Sequence, residues 1–207
     1  ANFYSSFCKG KIYKTTSRTA ELSKLAENSF RDVNIAFANE LSMICDSLDI
    51  DARELIYLSN RHPRVNILNP GCGVGGHCIA VDPWFIVSQH PNTSKLISTA
   101  RYVNDGKINW VINKIISEIK KIEEKIGRAP IIGLMGLTYK PDIDDLRESP
   151  AIKIAKSLIQ KNLKVIACEP NIKHHQYINI YPEEYILENA DHLFFLTAHS
   201  RFRDIDL

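Results

Sequence analysis

Near Arg128 the hydrophobic rhythm of this chain changes, and that change limits the fold more than any other feature. Before it, apolar residues recur at helical spacing. Leu22, Leu25, Phe30, Val33, Phe37, Leu41, Ile44 and Leu48 trace one stripe, and no proline or glycine interrupts residues 18–48. The spacing predicts one long helix there, capped by Thr16 or Ser17, and a shorter one over Asp51–Ser59 with Asp51 near its cap. Asp82 followed by Pro83 predicts another helix start, with the aspartate as cap. A second long helix is expected over Ser98–Lys125. Its Ile108, Ile112, Ile115, Ile119, Ile122 and Ile126 step by four and three, close to a coiled-coil seam. A helix of that length joins two domains or lines a subunit interface.

After Arg128 the segments APIIGLMGL, LKVIACEP and HLFFLTA read as strands, and SPAIKIAKSLIQK and EEYILENA as helices. Strand–helix–strand alternation predicts a parallel α/β sheet. The expected architecture is an all-helical part, residues 1–127, joined by its long helix to a Rossmann-like α/β part, residues 128–207. Leu207 follows the third strand early for a complete doubly wound domain.

The 207 residues are 44% hydrophobic and 24% charged with a net charge of +2, an ordinary globular balance that does not suggest a nucleic-acid or membrane-surface binder. No apolar run approaches a membrane span, and ANFYSSFCKGKIYK lacks the apolar stretch of a signal peptide, so a cytoplasmic protein is expected. Cys8, Cys45, Cys72, Cys78 and Cys168 form no C-x-x-C pair, and His62 and His77 complete no familiar zinc spacing. Reduced thiols and no metal are expected.

The most unusual stretch is NPGCGVGGHCIAVDP, residues 69–83. Gly71, Gly73 and Gly76 satisfy G-x-G-x-x-G, but the context of a dinucleotide loop is missing. That fingerprint follows a strand and opens a helix, whereas here Asn-Pro precedes it and the helix start waits until Pro83. Glycines at 73, 75 and 76 instead let backbone bend and come close to a ligand, and exposed amides in such a loop can cradle an anion. Cys78 would then lie beside the ligand and near a helix N-terminus, which favours its thiolate. Equally, a free cysteine is often a small buried hydrophobe, so the loop alone leaves nucleophile and core residue both open.

Three runs carry a more specific signal: SRTAELSKLAENSFRDVNIAFANELS from Ser17, NRHPRVNILNPGCGVGGHCIAVDPWFIV from Asn60, and GLTYKPDIDDLRESPA from Gly136. Together they resemble the UDP-glucose/GDP-mannose dehydrogenase family. HCIAVDPWF is similar to the form found in its N-acetylmannosamine branch, where the glucose branch more often reads S-C-x-x-K-D. The resemblance implies the central helical domain and most of the C-terminal nucleotide-sugar domain, with the N-terminal NAD-binding domain absent. It implies four-electron oxidation of a sugar C6 alcohol to a carboxylate, two NAD being reduced in turn, with a thioester intermediate. By resemblance Cys78 is the nucleophile, Lys24 and Asn28 stabilise the oxyanion and position water or sugar, and Asp82 handles protons. His62 and Arg64 match positions that reach a neighbouring subunit's site, Tyr139 and Lys140 match the pair touching the nucleotide sugar, and Arg147 matches a residue reaching toward the cofactor. His77 either shares acid–base work or points away, and Cys72 is incidental. Asp142, Asp144 and Asp145 are expected to shape a turn. A homodimer is implied, from the isoleucine seam and the residues acting across subunits, and surface-polysaccharide synthesis is the implied pathway. The competing expectation is a module that binds the UDP-sugar and dimerises without turnover, and the sugar itself is open between N-acetylmannosamine, N-acetylglucosamine and glucose.

Overall fold

In a computed structural model, which describes residues 2–205, the two long helices are as the periodicity predicts. After a single turn, α1 (Asn2–Ser5), comes α2 (Ser17–Ser47), whose N-cap Thr16 accepts a hydrogen bond from the Thr19 amide at 3.2 Å. Next is α3 (Ala52–Ser59), capped by Asp51 through the Arg53 amide at 2.8 Å. The glycine loop then leads into α4 (Asp82–Gln89), and α5 (Lys95–Ile126) crosses both α2 and α4. Asp82 is the first residue of α4 and not its cap. The cap position is Val81, which makes no side-chain bond, so the capping expected of Asp82 is overturned and its carboxylate points elsewhere.

The α/β part follows the expected order: β1 (Ile131–Met135), α6 (Pro150–Gln160), β2 (Lys164–Cys168), α7 (Glu183–Asn189) and β3 (His192–Phe195), then a 3₁₀ turn at Ser200–Asp204. The three strands are parallel in the order β2-β1-β3, with Gly133 opposite Ile166 on one side and Leu193 on the other. The chain passes from β1 outward to β2 and then back across to β3. The carboxyl ends of β1 and β3 therefore flank a switch point, the usual crevice for ligands in open α/β sheets. Ile132 and Leu134 face α5 and α6, packing with Ile112, Ile115, Ile119, Ile154 and Leu158, while Met135 faces Ile186 and Phe202. Leu207 lies outside the described residues, and no helix among those described is long and apolar enough to cross a membrane.

Two expectations about apolar stripes are corrected. The isoleucine seam of α5 is not a free subunit surface, because Ile112, Ile115 and Ile119 are buried in this chain's own α/β core. The α2 stripe is not what packs on α5. Phe30, Phe37, Ile44 and Leu48 are exposed, and the buried face carries Asn28, Ser29, Asp32, Ala36, Asn39 and Cys45. The physical reason is a polar interior. Arg101 and Asn104 of α5 both bond the Asp32 carboxylate, at 2.7 and 2.8 Å, and Asn104 accepts from Asn39 at 2.9 Å. Most of these buried polar groups find partners across α2 and α5, while Ser29 Oγ, Asp32 Oδ2 and Arg101 Nε make no hydrogen bond.

Candidate active site

The site forms where the glycine loop, held by α2 and α5, meets the loop that follows β1. From α2, Asn39 accepts the Gly71 amide at 2.8 Å, and Asn34 accepts the Leu68 amide at 3.1 Å and donates to the Asn66 carbonyl. Asn60 closes the entry by bonding both backbone groups of Ile67. At the far end, the Cys78 carbonyl accepts the Val81 and Asp82 amides at 3.0 and 2.8 Å. That turn leaves Cys78, half-buried, four residues before Asp82, the first residue of α4.

Asn28 and Asp82 are brought together. The Asn28 amide, almost wholly buried, donates to the Asp82 carboxylate at 2.6 Å across 54 residues of sequence. Lys24 lies one turn earlier on α2, with its ammonium on Glu27 at 3.1 Å, and both side chains are exposed. The structure thus joins Asn28, Asp82 and the Cys78 turn, and leaves Lys24 on the solvent side of the same helix.

From the α/β side, Tyr139 packs onto the glycine loop. A Cβ at Gly75 would lie 2.5 Å from the Tyr139 Cβ, and one at Gly76 would lie 2.9 Å from its ring. Gly76 also has a φ of 81°, a left-handed value that disfavours other residues. These two glycines are required by close approach of Tyr139, which answers why the loop is glycine-rich. Gly73 sits against Ile108 and the Asn104 carbonyl. The expected anion cradle is reduced in extent, because the Gly71 and Gly76 amides are already bonded to Asn39 and to the Arg147 carbonyl.

Arg147 is exposed, and its guanidinium grips Asp145 through Nε and Nη2 at 2.6 to 3.0 Å, which holds the Asp145 carboxyl down at about 2. Asp145, then Cys78 more weakly, hold Arg147 above its ordinary range, and His77 adds to the lowering of Asp145. Cys78, His77, Asp145 and Arg147 are therefore within electrostatic reach of one another. Asp142 accepts the Ser200 amide and hydroxyl at 2.9 and 2.6 Å, so it ties the turn to the end of β3. Lys140 is exposed beside Tyr139. His62 and Arg64 are exposed in the loop after α3, the His62 ring accepting the Arg64 amide at 3.3 Å. Cys72 is half-buried against the core, where loss of solvent pushes its thiol up to about 11, and it donates to the Leu196 carbonyl.

Between α3, the entry of the glycine loop and the segment after β3 lies a cleft of about 740 Å³. Its lining includes Tyr57, Asn60, Asn69 and Ala198, and its charged members are Arg53 and Arg61. Arg61 stacks on the Tyr57 ring at 4.1 Å.

Asn34, Asn39, Glu169 and His199 were not singled out by motif. Asn39 carried a faint signal as a polar residue inside the apolar run IAFANELSMI, and Glu169 as an acid directly after a strand.

Residues 18–106 match the central domain of the UDP-glucose/GDP-mannose dehydrogenase family, and residues 133–207 match its UDP binding domain. The chain is 53% identical to UDP-N-acetyl-D-mannosamine dehydrogenase of Campylobacter jejuni over 98% of its own length and 50% of the relative's. It is 50% identical to NDP-N-acetyl-D-galactosaminuronic acid dehydrogenase of Ralstonia nicotianae, over 98% of this chain and 48% of that one. Among solved structures it superposes on the UDP-D-ManNAc dehydrogenase of Pyrococcus horikoshii with a TM-score of 0.85 at 37% identity, covering 99% of this chain and 48% of that one. The chain spans about half the length of the curated relatives it matches. With both family domains matched in order and the fold shared along nearly the whole chain, the protein belongs to the UDP-glucose/GDP-mannose dehydrogenase family.

Proposed function

We propose that this chain holds the UDP-sugar and supplies the reactive thiol in the oxidation of UDP-N-acetyl-D-mannosamine to its uronic acid. One observation carries the reading: Asp82 accepts from Asn28 and its amide bonds the Cys78 carbonyl, so three residues from two separate motifs share one corner of the molecule. Cys78 lies in the turn that leads into α4, half-buried beside the Asn28–Asp82 pair. In the proposed step the thiolate adds to the C6 aldehyde. The S–C bond forms and the carbonyl π pair moves to oxygen, giving a thiohemiacetal oxyanion. Lys24 is assigned to that oxyanion. Its exposed pair with Glu27 is worth at most about 1 kcal/mol, so the ammonium is free to swing toward the site. Asn28 orients Asp82, which would take the proton of the water that cleaves the thioester once NAD, held by the full-length protein, had accepted the hydride of the thiohemiacetal.

The family's hydride acceptor is NAD, and the end of β1 does not fit its pyrophosphate. At the end of β1, where a dinucleotide's pyrophosphate would meet backbone amides, the Leu137 and Thr138 amides are filled by the Glu169 carboxylate. No hydride step is therefore assigned to these residues. Arg147 is proposed to reach toward the cofactor after releasing Asp145. The substrate's diphosphate suits the Tyr139–Lys140 loop, Gly73, Gly75 and Gly76, with the arginine-lined cleft alongside.

A homodimer fits better on α2 than on α5. Phe30, Phe37, Ile44 and Leu48 form an exposed apolar row, and His62 and Arg64 project from the surface as residues acting on a partner subunit's site would. A cytoplasmic location and a role in making acidic sugars for surface polysaccharide accompany the reading.

The test is turnover by the full-length gene product with NAD and UDP-linked N-acetylmannosamine, N-acetylgalactosamine, N-acetylglucosamine or glucose. Two NADH per UDP-N-acetylmannosamine is the expected result. Preference for the galacto sugar would move the substrate to that of the Ralstonia relative, and no NADH from any of the four would return the chain to a binding module.

A further inference from the structure

We infer that Glu169 and His199 are positioning residues for the nucleotide-sugar loop, clamping residues 137–138 and 142 so that Tyr139 and Lys140 are presented between two fixed points. The inference rests on the proposed role of Tyr139 and Lys140 in holding the nucleotide sugar.

Glu169 directly follows β2 and His199 follows β3, so the clamp comes from beyond the ends of the two strands flanking β1. Both side chains are buried to about 1% exposure or less. One Glu169 oxygen accepts the Leu137 amide at 2.7 Å, the Thr138 amide at 3.1 Å and the His199 Nε2 at 3.1 Å, while the other accepts the Asn171 amide at 3.1 Å. His199 Nδ1 accepts the Asp142 amide at 3.0 Å. That bond fixes the tautomer: Nδ1 is the acceptor, so Nε2 carries the hydrogen and points it at Glu169 and at Thr138 Oγ1, 3.1 Å away. Thr138 Oγ1 in turn donates to the Lys140 carbonyl, and Thr197 Oγ1 donates to the Thr138 carbonyl at 2.7 Å.

The loop needs such a clamp. Asp142 has a φ of 59°, left-handed for a residue with a side chain, and its amide and carboxylate are held by His199 and Ser200. Burial pushes the Glu169 carboxyl up, yet the bonds from His199, Leu137 and Asn171 outweigh it and hold the group below its ordinary range. An ionised carboxylate inside an apolar α/β core is a costly way to gain stability, since apolar side chains of like volume do as well or better. What this one does is geometric. Apart from Asn171, its partners are the first two residues of the loop and the histidine that grips the loop's far end. Glu169 also supplies internally the anion that a dinucleotide would bring to the same amides, which leaves Tyr139 and Lys140 as the outward contacts.

The test is calorimetric titration of UDP into the full-length gene product, with steady-state kinetics alongside. Glu169→Gln keeps the shape but puts an NH₂ group among donors. It is expected to weaken UDP binding about tenfold and to raise KM more than it lowers kcat, as one lost charge-assisted contact predicts. His199→Asn, which can still accept the Asp142 amide, is expected to bind more tightly than His199→Phe, which cannot. In a double-mutant cycle with Lys140→Ala, the Glu169→Gln loss should shrink, because both act through one contact. Wild-type affinity in folded Glu169→Gln and His199→Phe, or simple addition in the cycle, would overturn the inference. If Glu169→Gln does not fold, the His199 pair decides alone, and equal affinities there overturn it. Wild-type affinity in both Lys140→Ala and Tyr139→Ala would instead remove the underlying reading of the loop.

Discussion

The α2–α5 contact and the interior around β1 are built from different side chains, and Glu169 and His199 form a polar pair beyond the sheet's carboxyl end. Between α2 and α5 lie Asp32, Asn39, Arg101, Asn104 and Lys107, all within a few per cent of full burial, while the interior around β1 is Ile132, Leu134, Ile154 and Leu158. The difference follows from what each interior must hold. The α/β core stacks regular elements, for which apolar volume suffices. The helical interior must also fasten a glycine loop that has no regular hydrogen bonding of its own, and only polar side chains can do that. Asn39 bonds Gly71, and Asn39 is itself fixed through Asn104, Asp32 and Arg101.

The contrast breaks most visibly at the buried ion pair. Arg101→Met leaves the Asp32 carboxylate without its cation in the interior and is expected to cost about 3–5 kcal/mol. Adding Asp32→Leu should recover much of that loss, since the pair is then replaced by apolar volume. Urea denaturation of the two variants measures both. If the single variant is as stable as wild type, the polar interior has no structural role.

Across the boundary, Leu134→Ala should cost about 2–5 kcal/mol by leaving a cavity, with no second substitution able to rescue it. Gly75→Ala probes the join. Its methyl would meet Tyr139, so an overpacking loss of about 1–3 kcal/mol is expected in melts, with weaker UDP binding. Unchanged melting would show that Tyr139 moves aside freely.

A smaller effect distinguishes the interiors by pH. Burial, against weaker opposing pulls from Cys72 and Asp46, lowers the Lys107 ammonium from 10.5 to about 8. Between those values the unfolded chain binds more protons than the folded one, so stability rises with pH. The Cys72 and Cys168 thiols, raised by burial from 9.0 to about 11, act in the opposite sense above pH 9. A gain of about 1 kcal/mol between pH 8 and 9, followed by a fall, is expected from denaturant midpoints. Lys107→Met should abolish the rise and keep the fall. A rise that survives in Lys107→Met would assign it to another group.

Legibility divides along the same line. The strands and α-helices of the α/β part were readable, because β1, β2 and β3 carry apolar runs and Ser149 caps α6 as its type suggests; the 3₁₀ turn after β3 was not. In α2 the period was readable but the buried face was not. Apolar residues were traced through Phe30 and Phe37, whereas the face that packs carries Asn28, Asp32 and Asn39. Those polar residues repeat at helical spacing too, but their partners on α4 and α5 are 54 to 72 residues away in sequence and carry no local signature. The isoleucine seam was correctly placed on one face of α5 and misassigned to a subunit contact, since pattern alone does not say which surface covers it. At the site, family motifs led to Asn28, Cys78 and Asp82. Glu169 and His199 were invisible because they act on backbone amides.

The most direct test of the account is acid formation by Cys78→Ala in the full-length gene product, measured beside UDP-sugar affinity. The account predicts that uronic acid production falls to background while affinity stays within about twofold of wild type, because the thiol acts after binding. Acid formation at the wild-type rate would contradict it, and Cys78 would then be a structural thiol at the entrance of α4.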